Sequence, residues 1–321
     1  METVALIFRF AFLRTGQALL VALTIATLCF FLIRTVPGDL ALRVANARYG
    51  EDLGGLRGAE LVRSEGYLSG NSLAAYRNWM GSALELHFGN SLVTRHPVSD
   101  DVGRYFQRTA RLALVGFVIS ILLAVPLGTA SGMRPGSWVD LASAGLASAL
   151  SSVPSFVIGT ALILLFSVEL HWLPSAGSGG GEHLLLPGLA LGLGLSAASS
   201  RIIRSAIAST RVAPYVDFAR WKGMPETSVF RHHVLRNALI PVLTFGVQQF
   251  AYLLDGTIVI ETLFAYPGIG SLLVASLLAR DIPTVQAIAL LMGLLFVLIN
   301  SLSDLAALWL DPRRRDRGRL L

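Results

Sequence analysis

Charge is scarce in this chain. Only 14% of its residues are Asp, Glu, Lys or Arg, and Lys222 is the sole lysine in 321 positions. Soluble domains carry about 25% charged residues, so a soluble globular protein is not the expectation. Cysteine is nearly absent too. Cys29 stands alone inside an apolar run, which excludes an internal disulfide framework. The glycine-rich run Gly177-Ser-Gly-Gly-Gly181 lacks the following Lys-Ser/Thr of a phosphate loop, so it reads as a flexible external turn. Histidine supplies no metal site: His232 and His233 are adjacent and on a helix would point about 100° apart. An intramembrane serine protease lacks its base as well. All six histidines lie in loops or at the ends of apolar runs, and Lys222 is far in sequence from Ser151 and Ser155.

What the chain has instead is long runs without charge. Residues 15–33, 112–133, 141–168, 184–200, 237–254 and 282–303 contain no Asp, Glu, Lys or Arg. A membrane span needs about 20 mostly apolar residues, so six spans are expected. The first run ends in Phe-Phe-Leu-Ile-Arg34 without a small-x-small cleavage site and reads as a retained helix. Prolines at 126, 154, 187 and 241 fall in spans, where neighbouring helices must accommodate them. Ala144, Gly145, Ser148, Ser151 and Ser152 form a small-residue stripe suited to close helix approach. Trp138, Trp172 and Trp309 fall where an aromatic belt is expected.

The net charge of +6 comes from arginines beside the spans, a sign of orientation rather than of nucleic acid. Segment 201–236 carries Arg201, Arg204, Arg211, Arg220, Lys222, Arg231 and Arg236, and the tail carries Arg313, Arg314, Arg315, Arg317 and Arg319. Residues 170–183 have no basic residue but histidine, and 262–281 have only Arg280. The positive-inside rule therefore puts both termini and 201–236 in the cytoplasm. The segment of about 35–111 holds nine arginines, but it is long enough to escape the rule, and eight acidic residues leave it nearly neutral.

The segment before the fifth span reads as structured. Pro214-Tyr-Val-Asp217 can start a helix, Gly223 interrupts it, and Pro225-Glu226 can open a second. Two readings of this helix pair stand side by side: a rigid knob that docks in a partner's cleft, or an amphipathic pair lying on lipid.

Here the sequence resembles a known family. Tyr215-Val-Asp-Phe-Ala-Arg-Trp-Lys-Gly223 and Phe230-Arg-His-His-Val-Leu-Arg-Asn-Ala-Leu-Ile-Pro241 look like the EAA loop of binding-protein-dependent ABC transporter permeases, in the dipeptide/oligopeptide/nickel branch. The resemblance continues through Pro37-Gly38-Asp39, Phe88-Gly-Asn-Ser91, Val153-Pro-Ser-Phe156 and Trp172-Leu-Pro174. It runs on through Asp255 to Gly270, Arg280-Asp-Ile-Pro283, Asn300-Ser-Leu-Ser-Asp304 and Leu310-Asp-Pro-Arg313. The loop departs from the family in having Asp217 for Glu and Phe218 for a small residue, and residues 40–70 show little resemblance.

The resemblance implies an all-α polytopic membrane protein with six transmembrane helices and the MetI-like type I ABC importer permease fold. Its implied organisation is 1–34 as cytoplasmic N-terminus and first helix, 35–108 extracytoplasmic, 109–310 a five-helix permease core with coupling loop 205–236, and 311–321 a basic cytoplasmic tail. The implied partners are a second homologous permease, two ABC ATPases and an extracytoplasmic solute-binding protein, in the lipid of the inner membrane. ATP and magnesium would be bound by the ATPases, with no cofactor on this chain and no bond chemistry of its own. Asp217, Ala219 and Gly223, with Arg220 and Arg231, would form the ATPase-coupling surface. Asp255, with Gln248 and Tyr252 on the same span, either faces the pathway and meets a cationic group or makes an internal pair that fixes packing. Glu261, Asn300 and Asp304 are expected to be structural polar residues. Di- and oligopeptides are the expected cargo, with nickel or glutathione as alternatives. A secondary transporter without an ATPase is the competing class, weakly signalled because only Asp255 lies well inside a span.

Overall fold

The computed structural model describes residues 2–35, 38–50, 55–64, 72–85 and 87–310. Within its helices, the side chains of 2–12, 32–35, 72–75, Asn78, Leu84, Ala251, Leu254, Asp255 and 306–310 lie outside the described residues. The helices in chain order are α1 (Glu2–Thr35), α2 (Leu40–Tyr49), α3 (Leu56–Ser64), α4 (Ser72–Leu84), α5 (Val98–Met133), α6 (Trp138–Ser152) and α7 (Ser155–Leu162). They are followed by α8 (Leu185–Arg211), α9 (Pro214–Trp221), α10 (Glu226–Val229), α11 (Arg236–Leu263), α12 (Ile269–Ala279) and α13 (Ile282–Leu310). Helices α7 and α10 continue into π-helical turns, Ile163–Glu169 and Phe230–Leu235. No strand is found among the described residues.

Stretches within α1, α5 and α13, and α8 with its preceding turn, are each long and apolar enough to cross a membrane. The pair α6 and α7 is apolar enough only when taken together and bends by 98°, the geometry of a broken span or a re-entrant loop. The remaining charge-free run, 237–254, lies on the 28-residue helix α11. The expectation of one continuous span over 141–168 is corrected here, and Pro154 is the physical reason. Val153 before it is extended (φ −104°, ψ 124°), as proline imposes on its predecessor, so α6 stops and α7 starts afresh. Pro126 and Pro241 lie inside their helices, whereas Pro187 falls in the first turn of α8, where its missing N–H costs nothing.

The chain divides into two compact units, Met1–Arg108 with Pro267–Leu298 and Thr109–Tyr266 with Ile299–Leu321. In the first, Ala41, Val44 and Ala45 of α2, Ala59 and Val62 of α3, and Leu92 make a small core. A buried carboxylate ties this unit together. Asp281 accepts from Ser91 Oγ, from Leu92 N–H at 2.9 Å and from Thr284 Oγ1 at 2.8 Å. Next to it Arg280 takes the left-handed conformation (φ 55°) and donates through Nη1 to the Gly38 carbonyl at 3.1 Å. Three motifs far apart in sequence, around Gly38, Ser91 and Asp281, thus meet at one place. Phe30 and Phe31 of α1 pack their rings on Tyr76 and Trp79 of α4, and the Thr27 and Tyr76 hydroxyls share a 2.8 Å hydrogen bond.

In the second unit α8 packs against α5, α6, α7 and α11. Glycines set its closest approach. A Cβ at Gly192 would lie 2.6 Å from Ile119 Cγ2 and 2.9 Å from the Gly116 carbonyl, and one at Gly128 would lie 2.7 Å from the Ser200 carbonyl. The small-residue stripe on α6 does not serve this purpose: Ala144, Gly145, Ser148, Ser151 and Ser152 are exposed, and nothing lies within 4 Å of a Cβ at Gly145. The glycine-rich turn also differs from a free loop. Gly177 N–H donates to the Phe264 carbonyl at 3.0 Å, and His183 Nδ1 lies 2.9 Å from the Ala176 carbonyl, so that Gly177 and Gly179 lie against the imidazole ring.

Candidate functional site

Helix α8 continues to Arg211, so Arg201 and Arg204 belong to it and the irregular loop is shorter than 205–236. Three arginines of α8 fasten its end. Arg204 makes a two-point contact with Asp140 of α6, through Nε at 2.9 Å and Nη2 at 2.8 Å, Arg201 donates to Ser148 Oγ at 2.7 Å, and Arg211 donates to the Met133 carbonyl. The Asp140 carboxylate is itself set by Gly136 N–H at 2.9 Å.

The loop then builds two short helices around a glycine. Pro214 opens α9 in the first turn. At its end Gly223 N–H donates to the Arg220 carbonyl at 2.9 Å and Met224 N–H to the Ala219 carbonyl at 3.4 Å. This paired pattern closes a helix through a left-handed residue, and Gly223 has φ +78°. The chain reverses there and Pro225-Glu226 starts α10. Arg220 spans the turn, donating from Nε to Glu226 at 2.8 Å and from Nη1 to Asp217 at 3.0 Å. The hydrogen bond to Glu226, and then that to Asp217, push its pKa up, so the guanidinium stays charged at any working pH.

A buried seam holds the pair to the bundle. Val216 and Ala219 of α9, Val229 and Val234 pack with Ile203, Ala206 and Ile207 of α8 and Ala238 of α11. Ala219 is therefore under the knob, presenting no side chain outward. The outer face carries what sequence reasoning passed over: Tyr215, Phe218 and Trp221, exposed by 45%, 54% and 84%. They recur at i, i+3 and i+6 opposite the buried seam, a periodicity that could have singled them out. Lys222 Nζ lies 4.6 Å from the centre of the Phe218 ring. Arg231 is exposed on the following π turn. Glu226, which closes the Arg220 bridge, was also missed; its six-residue spacing across a glycine turn matches no helical pattern.

On α11, Gln248 and Tyr252 are exposed, one turn apart, while the side chain of Asp255 lies outside the described residues. Their neighbour Gln249 is buried and donates from Nε2 to the Leu195 carbonyl at 3.3 Å. Glu261 is fully buried and accepts from Thr109 Oγ1 at 2.5 Å. Asn300 and Asp304 on α13 are half-buried. Among the described residues, no group of three His, Cys, Asp or Glu side chains could hold a metal ion.

Known proteins resemble this chain. Residues 124–316 match the family described as binding-protein-dependent transport system inner membrane component. The glutathione transport system permease protein GsiC of Escherichia coli (strain K12) is 35% identical over 291 residues, covering 91% of this chain and 94% of that protein. GsiC of Salmonella typhi is 35% identical over 293 residues with the same coverage. A solved amino acid ABC transporter, crystallised with histidines, superposes with a TM-score of 0.53 at 17% identity, over 65% of this chain and 94% of that one. With the helical fold, the apolar spans and the two-helix loop, these matches make the chain a member of the binding-protein-dependent ABC transporter permeases, multi-pass subunits of the inner membrane.

Proposed function

We propose that this chain is one of two permease halves of an ATP-driven importer for small peptides and peptide-like solutes, glutathione among them. The observation that carries the coupling role is the 212–235 knob: two helices locked by Gly223 and the Arg220 bridge, seated on a buried seam, with Tyr215, Phe218 and Trp221 turned outward. Exposed aromatics beside charged groups are what protein interfaces use as anchors. Each of two ATPases would receive one such knob in the cytoplasm, where both termini also lie, and a solute-binding protein would deliver cargo on the other side. Closure of the ATPase pair would draw the knobs together and rock the spans between their two accesses. Asp217, Gly223, Arg220 and Arg231 serve this coupling, Ala219 by packing beneath it.

The relative's named cargo supports a peptide-like solute, since glutathione is a small peptide. Gln248 and Tyr252, and Asp255 further along α11, are the pathway candidates. The test is reconstitution of the chain with its neighbouring permease, ATPase and binding-protein subunits in proteoliposomes. ATP-dependent uptake of glutathione or a dipeptide, lost with Trp221→Asp, is the expected result. Uptake driven by an ion gradient without ATPase subunits would refute it in favour of a secondary transporter.

A further inference from the structure

The break between α6 and α7 leads to a site. Asp140 and Ser148 of α6 bond Arg204 and Arg201 of α8. Beyond the break, a Cβ on Gly159 of α7 would touch Ala190 at 3.6 Å. Val153 and Pro154 therefore fall opposite the middle of α8, at membrane depth. Irregular backbone at that depth is tolerated where protein buries it or where it lines a water-filled cavity. This chain does not bury it: Ser151, Ser152, Val153 and Pro154 are all exposed.

Arg201 stands on the same face, about 24 Å along α8 from Leu185 at 1.5 Å per residue. Its situation differs from that of Arg204, which meets the Asp140 carboxylate twice. The Arg201 guanidinium is exposed, and among the described residues its hydrogen bond goes to the neutral hydroxyl of Ser148. One turn on, the Ser151 and Ser152 hydroxyls donate to the carbonyls of Ala147 and Ser148. Arg201 is a fixed cation at the end of the charge-free run 184–200, and with no acidic partner among the described residues it is suited to receive negative charge.

We propose that Arg201, held by Ser148 beside the α6–α7 break, forms an anion-binding station on the wall of the pathway and takes the carboxylate of the passing solute. The assignment rests on the import reading above and adds a specificity-determining group to it. A planar guanidinium suits a carboxylate, offering two parallel donors while Ser148 keeps its orientation.

The test uses the assembled transporter in phosphatidylcholine vesicles, which carry no anionic lipid, with Cys29→Ser and Ser152→Cys in this chain. A sulfonate-bearing methanethiosulfonate should modify the thiol introduced by Ser152→Cys about tenfold faster than its trimethylammonium analogue does. Arg201→Gln should abolish that preference, and Arg201→Lys should keep it. In uptake with Cys29→Ser as the only background change, Arg201→Gln should lower dialanine transport at least about tenfold, the scale of a hydrogen bond to a charged group. Arg201→Lys, which keeps the charge but not the paired donors, should fall between Arg201→Gln and the unmutated chain. An introduced thiol that reacts with neither reagent, or with both alike, overturns the station, as it would if the second permease or lipid covers this face. Full dialanine uptake by Arg201→Gln overturns it while leaving the import reading intact. Absence of ATP-driven dialanine uptake by the unmutated transporter defeats the peptide reading, and with it the solute as occupant. Should Arg201→Gln fail to assemble, the relative reactivity of the introduced thiol beside the native Arg201 still decides.

Discussion

Replacing Gly223 by valine isolates the backbone of the loop from its packing. Nothing lies within 4 Å of a Cβ at this position, so an added side chain meets open space and the whole cost is conformational. The residue sits at φ +78°, where an L side chain costs about 1–2 kcal/mol and a β-branched one more. That is too little to unfold the bundle but enough to make the turn reopen. Reopening gives up the hydrogen bonds from Gly223 to Arg220 and from Met224 to Ala219, and separates Arg220 from Glu226. The expected phenotype is a protein present in the membrane at normal amount, with uptake per ATP hydrolysed reduced severalfold in proteoliposomes. A graded series sharpens the test. Asparagine tolerates the left-handed region better than alanine despite its larger volume, so activity should fall in the order Gly, Asn, Ala, Val. An order that follows side-chain size, or a valine variant with unaltered coupling, would refute the reasoning.

Gly192→Leu, whose Cβ would press on Ile119 and the Gly116 carbonyl, should destabilise the purified complex by about 1–3 kcal/mol, read as a lower Tm, whereas Gly145→Leu on the open face of α6 should not. Glu226→Gln, at an exposed ion pair, should change stability by less than about 1 kcal/mol yet reduce uptake per ATP, because it weakens the hold of Arg220 on α10. Asp281→Ala should leave the Ser91 and Thr284 hydroxyls and the Leu92 amide without their acceptor, at about 1–3 kcal/mol for each buried group. Limited proteolysis should then cut near Arg95 faster than in the unmutated protein, and unchanged cleavage would count against the tie.

Four of the spans were legible because each is a contiguous run whose lack of charge needs no tertiary partner to interpret. The turn at Gly223 was legible for a similar reason, since proline, aspartate and glycine act within a few residues of themselves. What escaped depends on residues brought together from afar. Pro154 could be placed in an apolar run, but whether it kinks or breaks the helix depends on the extended Val153 and on what covers the gap. The stripe on α6 had the right composition for close packing, yet the close approach was made by glycines of α5 and α8, whose sequence pattern is no stronger. Arg201 and Arg204 looked alike as loop cations; only the position of Asp140, 64 residues away, distinguishes one from the other.

The 212–235 knob is also one end of a lever. Helix α10, the π turn Phe230–Leu235 and α11 follow one another without a gap from Glu226 to Leu263, a rod of about 57 Å at 1.5 Å per residue. Near its far end, the buried Glu261 is bonded to Thr109. If that bond is the fulcrum, a tilt of about 5° carries the knob roughly 4–5 Å while Phe264 moves by under about 1 Å. The rod then works as a long arm on a short one. A wide stroke at the knob becomes a small, forceful shift at the opposite end, where the Phe264 carbonyl accepts from Gly177. The π turn and Pro241 lie along the rod, and any bending there would take up part of that stroke before it arrives.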